Sequence, residues 1–152
     1  TDEVMSGINT SFISSTYWTE RSGPSAGLAV LDYYEKNEVG KCLRRTGIKI
    51  SEGIKSVFNS HGIELSFSQT LPQLFRYIPQ LPTSSDVFVT RITELMLSKG
   101  FLFSCRTYST ISHRDKDVNS FLDALHDSLN IATLEFNSGK LSSYPYCRKA
   151  SY

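Results

Sequence analysis

The chain has 152 residues, of which 39% are apolar, 12% aromatic and 20% charged, and its formal net charge is +1. That is enough chain for one domain with a real core, and the composition excludes a disordered or fibrous polymer. A charge this close to zero gives no general attraction to nucleic acid or to an anionic membrane.

No run of about 18 apolar residues occurs, so no transmembrane helix is expected. Thr1-Asp2-Glu3-Val4-Met5 lacks the basic and then apolar stretches of a signal peptide. The missing initiator methionine reads as processing, or as excision from a longer chain. Cys42, Cys105 and Cys147 are odd in number and far apart, without CxxC or Cys/His zinc spacing. No metal site is expected, and the thiols read as reduced in a cytoplasmic protein.

Thr1 to Ser22 is short of helical periodicity and rich in hydroxyls, and reads as a loop. Gly23-Pro24 opens a helix that runs to about Asn37, because proline's missing N–H is harmless in a first turn. Leu43, Gly47, Ile50, Ile54, Val57 and Phe58 recur at spacings of three and four, a buried stripe on a second helix that ends at His61-Gly62. The period then becomes two: Ile63, Leu65 and Phe67 alternate with Glu64, Ser66 and Ser68, as in a half-buried strand. Leu74 to Ile78 forms its hairpin partner around Gln69 to Pro72, closed by Pro79 and Pro82. Ser84 or Ser85 caps a helix carrying Val87, Phe88, Ile92, Leu95 and Met96, which stops at Lys99-Gly100. Phe101 to Tyr108 reads as a third strand. Ser112, three residues before Asp115, caps the last helix, which carries Val118, Phe121, Leu122, Leu125 and Leu129. The order predicts an α+β fold: a small antiparallel sheet of about three strands with helices on one face, preceded by a loop and a helix that look like the end of another domain.

No catalytic constellation assembles from these residues, and no Gly-x-Ser-x-Gly elbow is present. His61 reads as a C-terminal helix cap, His126 as solvated surface and His113 as structural, near the start of the last helix. Asp115 and Asp117 complement that helix's dipole. Ser14-Ser15-Thr16 offers hydroxyls and backbone N–H groups ahead of a helix, a pattern that serves either as turn formers or as a phosphate cradle. Arg76 and Arg106 read as surface or structural ion pairs, with carboxylate binding as the alternative.

The run Phe12-Ile13-Ser14-Ser15-Thr16-Tyr17-Trp18-Thr19-Glu20-Arg21-Ser22-Gly23-Pro24-Ser25-Ala26-Gly27-Leu28-Ala29 resembles a segment of class III aminotransferases. Lys99-Gly100-Phe101 and Ser112-His113-Arg114-Asp115-Lys116-Asp117-Val118 are similar to that family's last strand and last helix. The likeness extends to about Leu129 and is closest to the branch containing glutamate-1-semialdehyde aminomutase. Two departures stand out: Trp18 to Pro24 replaces a Ser-Gly-Asn-Pro type of turn, and Cys105 to Ile111 is shorter than the aminomutase stretch.

The resemblance implies the C-terminal region of a fold type I pyridoxal 5'-phosphate (PLP) enzyme. Such enzymes work as homodimers with the cofactor at the subunit interface, on a small-molecule amino donor and a carbonyl substrate. Residues 1–23 would end the large PLP domain, 24–60 would be connector helices, 61–137 the small domain and 138–152 a tail. Thr16 would reach the cofactor phosphate of the neighbouring subunit, with the backbone N–H of Ser15 sharing the task. The Schiff-base lysine, the aspartate facing the pyridine nitrogen and the Gly-rich phosphate turn would all lie upstream of Thr1. No residue of this segment is therefore expected to be catalytic, and alone it should be inactive. The alternatives are a non-catalytic dimerisation or interaction module of the same fold, or part of a PLP decarboxylase or racemase.

Overall fold

A stripe of Ile50, Ile54 and Phe58 on one helix organises the core. The computed structural model describes residues 1–11, 19–82 and 85–144, and its contacts divide the chain into Thr1–Glu38 and Val39–Tyr152. In the first unit, α1 (Asp2–Ser6) and a 3₁₀ turn (Gly7–Thr10) stand where a loop was expected. Local bonding explains the difference. The amide of Met5 donates to the Thr1 carbonyl, and the hydroxyls of Ser6 and Ser11 turn back to the carbonyls of Glu3 and Gly7. Helix α2 (Ser22–Lys36) has Pro24 in its first turn, as expected, and buries none of its residues.

In the second unit, α3 (Val39–Ser60) buries Ile54 and Phe58 completely. Each large apolar side chain removed from water in this way contributes about 1.5–3 kcal/mol. The helix stops where Gly62 takes φ 68°, letting the amide of Ile63 return to the Phe58 carbonyl. Strand β1 (Glu64–Leu71) follows at once and turns through Pro72-Gln73 into β2 (Leu74–Gln80), one step later than the expected hairpin. Gly47 makes that turn possible, since a Cβ there would lie 2.2 Å from the Pro72 carbonyl oxygen.

Strand β2 runs through Pro79, which pairs with Leu65, instead of ending there. The Tyr77 amide donates to the Cys105 carbonyl on the side of β3 (Arg106–Tyr108), and Pro79, two residues on, turns its backbone nitrogen to the same side. Beyond Tyr77 that side has no described ladder partner, so a residue without an N–H fits. The expected third strand, Phe101 to Tyr108, pairs over Arg106–Tyr108 alone. The chain bends at Ser104 and Cys105, whose carbonyls accept from the hydroxyl and the amide of Tyr77.

Helix α4 (Ser85–Ser98) ends at Gly100 (φ 84°), after Lys99. Helix α5 (Asp115–Asn137) is capped by Arg114, not Ser112. Asp117 accepts from both the amide and the Nε of Arg114, at 3.3 and 2.9 Å, which places the first turn two residues later than the Ser112 pattern suggests.

The sheet order is β1-β2-β3, all antiparallel, with α3 packed on β1, α4 on β2 and α5 against both helices, so the α+β expectation holds. Phe58, Tyr77 and Phe103 meet edge-on in the core beside Phe67 and Phe75. Gly53 lets Leu122 of α5 approach α3. Among the described residues no helix is long and apolar enough to cross a membrane.

Candidate functional site: the open face of the sheet

Strand alternation sends Phe75, Tyr77 and Pro79 into the core and turns Leu74, Arg76, Ile78 and Gln80 outward. On the outward face Arg76 is flanked in register by Ser68 of β1 and Arg106 of β3, while Leu74 stands opposite Tyr108. Ser68, Arg76, Arg106 and Tyr108 line a hollow of about 220 Å³ with Leu74 and Phe75. The two arginines noted separately in the sequence are thus cross-strand neighbours, which the sequence reading did not foresee. Like charges placed directly opposite on a sheet repel. The two arginines and the two hydroxyl residues, Ser68 and Tyr108, that line this hollow are of the types that bind a carboxylate or phosphate.

A second cavity, of about 640 Å³, adjoins the first and shares Arg106 and Tyr108 with it. Ile50, Phe101, Phe103, Val118 and Phe121 supply apolar walls, and Ser104, His113 and Asp117 bring polar groups to its lining. His113 lies just before α5, and its Nδ1 accepts from the Thr110 amide at 3.2 Å, which leaves the proton on Nε2. A ligand spanning both cavities would meet cationic donors at one end and aromatic surface at the other.

The remaining titratable groups fall as structural elements. His61 caps α3, its Nδ1 lying 2.8 Å from the Val57 carbonyl, and His126 is exposed. A hydrogen bond from Lys49 holds the Asp115 carboxyl below its usual range, and one from Arg114 does the same for Asp117. Burial pushes the Cys105 thiol up to about 11, against the opposing pull of Arg76. Burial likewise raises the Tyr77 phenol well above its ordinary value.

The sequence reading missed Arg91 altogether. Its guanidinium binds Glu135 in two places, Nε to Oε2 at 2.7 Å and Nη2 to Oε1 at 3.1 Å, and reaches Glu94 at 3.3 Å. Tyr144 donates to Glu94, and Lys140 reaches Glu135 at 3.0 Å. This network ties α4, α5 and the turn at Lys140–Ser143 together. Of all its contacts, the Arg91–Glu94 pair at i,i+3 is the one a sequence could signal.

Ser15 and Thr16, the expected cofactor contacts, lie outside the described residues. Neither cavity is lined by a lysine. Lys36, Lys49, Lys99 and Lys140 are instead engaged with Asp32, Asp115, Asp127 and Glu135. Neither cavity therefore offers a covalent holder for PLP.

No family model matches the chain. In sequence it is 26% identical over 132 residues to 2'-deamino-2'-hydroxyneamine transaminase of Streptomyces kanamyceticus, covering 82% of this chain and 32% of that protein. In structure it superposes on the PLP internal aldimine form of the FumI protein of Sphingopyxis sp. MTA144, with a TM-score of 0.77 and 16% identity. That match covers 91% of this chain and 33% of FumI. The fold is therefore that of a segment of a PLP-bearing protein, and the sequence likeness to a transaminase supports an aminotransferase type of fold. The chain spans about a third of the length of both relatives.

Proposed function

We propose that this chain is the C-terminal part of a PLP-dependent aminotransferase or aminomutase of class III type, nearest the glutamate-1-semialdehyde aminomutase-like branch. One observation carries the reading: likeness in sequence to a transaminase and likeness in fold to a PLP-bearing protein each cover most of this segment and a third of the relative. The complete protein is a cytoplasmic homodimer that moves an amino group between a small amino donor and a carbonyl compound. PLP, when bound by that dimer, supplies the carbonyl that takes up and releases the amine. In this reading residues 1–23 end the large domain, 24–60 connect, 61–137 form the small domain and 138–152 the tail.

The segment's own contribution is binding and orientation. The Thr16 hydroxyl and the Ser15 amide hold the cofactor phosphate of the neighbouring subunit. Arg76 and Arg106 hold a carboxylate of the donor, a reading supported by their cross-strand pairing and the hollow they both line. The test compares Arg76→Gln and Arg106→Gln in the complete enzyme with an amino-acid donor and with a simple amine donor. Loss of a hydrogen bond to a charged group weakens binding by about 1.5–3 kcal/mol, so KM for the amino acid rises by about 10- to 100-fold. KM for the simple amine stays within about twofold under the same reasoning. Equal effects on both donors would remove the arginines from carboxylate recognition.

A second reading, a non-catalytic interaction module, rests on α2, where Leu28 is 69% and Leu31 67% exposed. Sedimentation of the isolated chain decides it. Self-association abolished by Leu28→Glu with Leu31→Glu favours the module, and a strict monomer argues against it.

A further inference from the structure

We propose that His61, His126 and Asn130 form a binding site for a divalent transition-metal ion of the nitrogen-preferring kind, such as nickel, zinc or copper. The site joins the C-terminal end of α3 to the middle of α5 and is independent of any amino-transfer activity. Its first ligand is fixed by a backbone contact. His61 Nδ1 lies 2.8 Å from the Val57 carbonyl oxygen, which can only accept, so Nδ1 carries a proton, and in the neutral ring Nε2 keeps its lone pair. A ligating histidine is held in this way in many metal sites, its second nitrogen donating to a carbonyl.

That lone pair faces Asn130, whose side-chain oxygen is 2.9 Å from Nε2. In the neutral ring two acceptors face one another there, an arrangement relieved by a proton on Nε2, by a half-turn of the amide or by a metal ion bound to both. His126 completes the group. It precedes Asn130 by four residues on α5 and so shares its helix face. Its ring centroid is 4.9 Å from that of His61, with the planes tilted by 59°. Metal–nitrogen bonds of about 2.0–2.1 Å place two imidazoles on one tetrahedral ion with centroids roughly 5 Å apart.

Among the described residues no three His, Cys, Asp or Glu side chains gather as a metal site. The ion therefore takes two imidazoles, one amide oxygen and water. Asp127, next to His126, is engaged by Lys99 at 3.1 Å and stays outside the ligand set. The two imidazole donors favour nickel, copper and zinc over magnesium and calcium.

The test is isothermal titration of the tag-free chain with nickel chloride, paired with thermal unfolding. The expected result is saturable uptake of one ion per chain. The thermal midpoint should rise by about 5–10 °C when nickel exceeds its dissociation constant a hundredfold. His126→Ala, which removes an exposed side chain, should weaken uptake at least tenfold, on the order of the losses seen when metal-site partners are removed. Asn130→His, which adds a third imidazole without touching the α3 cap, should tighten uptake by a similar factor, on the order of tenfold. Absence of saturable uptake by the wild-type chain would overturn the assignment. So would uptake unchanged by both His126→Ala and Asn130→His.

Discussion

Replacing Gly47 by alanine tests the packing of the β1–β2 turn against α3. A Cβ at this position would stand 2.2 Å from the Pro72 carbonyl oxygen, 2.6 Å from its carbonyl carbon and 2.7 Å from the Gln73 Cα. All three atoms are backbone, so no side chain can rotate away, and the hairpin turn must lift from α3. Overpacking of this kind costs about 1–3 kcal/mol, and backbone contacts place it at the upper end. Alanine's better helix propensity returns up to about 1 kcal/mol, which leaves a net loss of about 1–2 kcal/mol. For a chain of this size the midpoint falls by about 2–8 °C. Gly53→Ala on the same helix is the control, because its Cβ meets Leu122 Cδ1 at 2.4 Å, the end of a side chain that can rotate. Its net effect should stay within about 1 kcal/mol of zero. Urea unfolding of the three chains, with m-values compared, measures both differences. A Gly47→Ala chain as stable as wild type, or a larger loss at Gly53, would refute this packing argument.

Arg91→Met should destabilise the chain by about 1–2 kcal/mol at pH 7, since it removes a two-point, partly buried contact to Glu135. The hydrogen bond from Arg91 lowers the folded-state pKa of Glu135. The contribution is therefore full above the ordinary glutamate range and is lost as pH falls through the folded value. The gap between wild type and variant in urea titrations should narrow from pH 7 to pH 3; a constant gap would contradict the assignment. Tyr77→Phe removes the hydroxyl that donates to the Ser104 carbonyl at 3.0 Å and should cost about 0.5–1.5 kcal/mol by the same measurement. Cys105, with its thiol pushed up to about 11, should stay protonated at pH 8. Iodoacetamide should alkylate it at least about tenfold more slowly in the folded chain than in urea, followed by peptide mass spectrometry. Equal rates would show that Cys105 is not held as the structure has it.

What the sequence disclosed depended on how local each cause is. Helix α3 was legible because Ile50, Ile54 and Phe58 repeat at helical spacing and Gly62 supplies the left-handed stop. Strand β1 was legible because Leu65 and Phe67 alternate with polar neighbours. Residues 101–108 misled, because their apolar content resembles a strand while Tyr77, distant in sequence, binds the carbonyls of Ser104 and Cys105 and bends them. The start of α5 shifted because the Arg114–Asp117 pair competes with the Ser112 pattern. The site was legible only in pieces. Arg76 and Arg106 each drew attention, yet their adjacency follows from a strand register that the chain between them does not announce. Still longer separations hid the Arg91–Glu135 contact and the approach of His61 to His126.

The central claim is that this chain completes a PLP enzyme. Its most direct test is the absorbance spectrum of the natural reading frame's full product, purified with PLP and then treated with borohydride. The account predicts a product about three times this length, given the 32% share of the transaminase relative. It should be yellow from a bound Schiff base and bleached by the reductant. A colourless product that takes up no PLP would contradict the account and leave the interaction module.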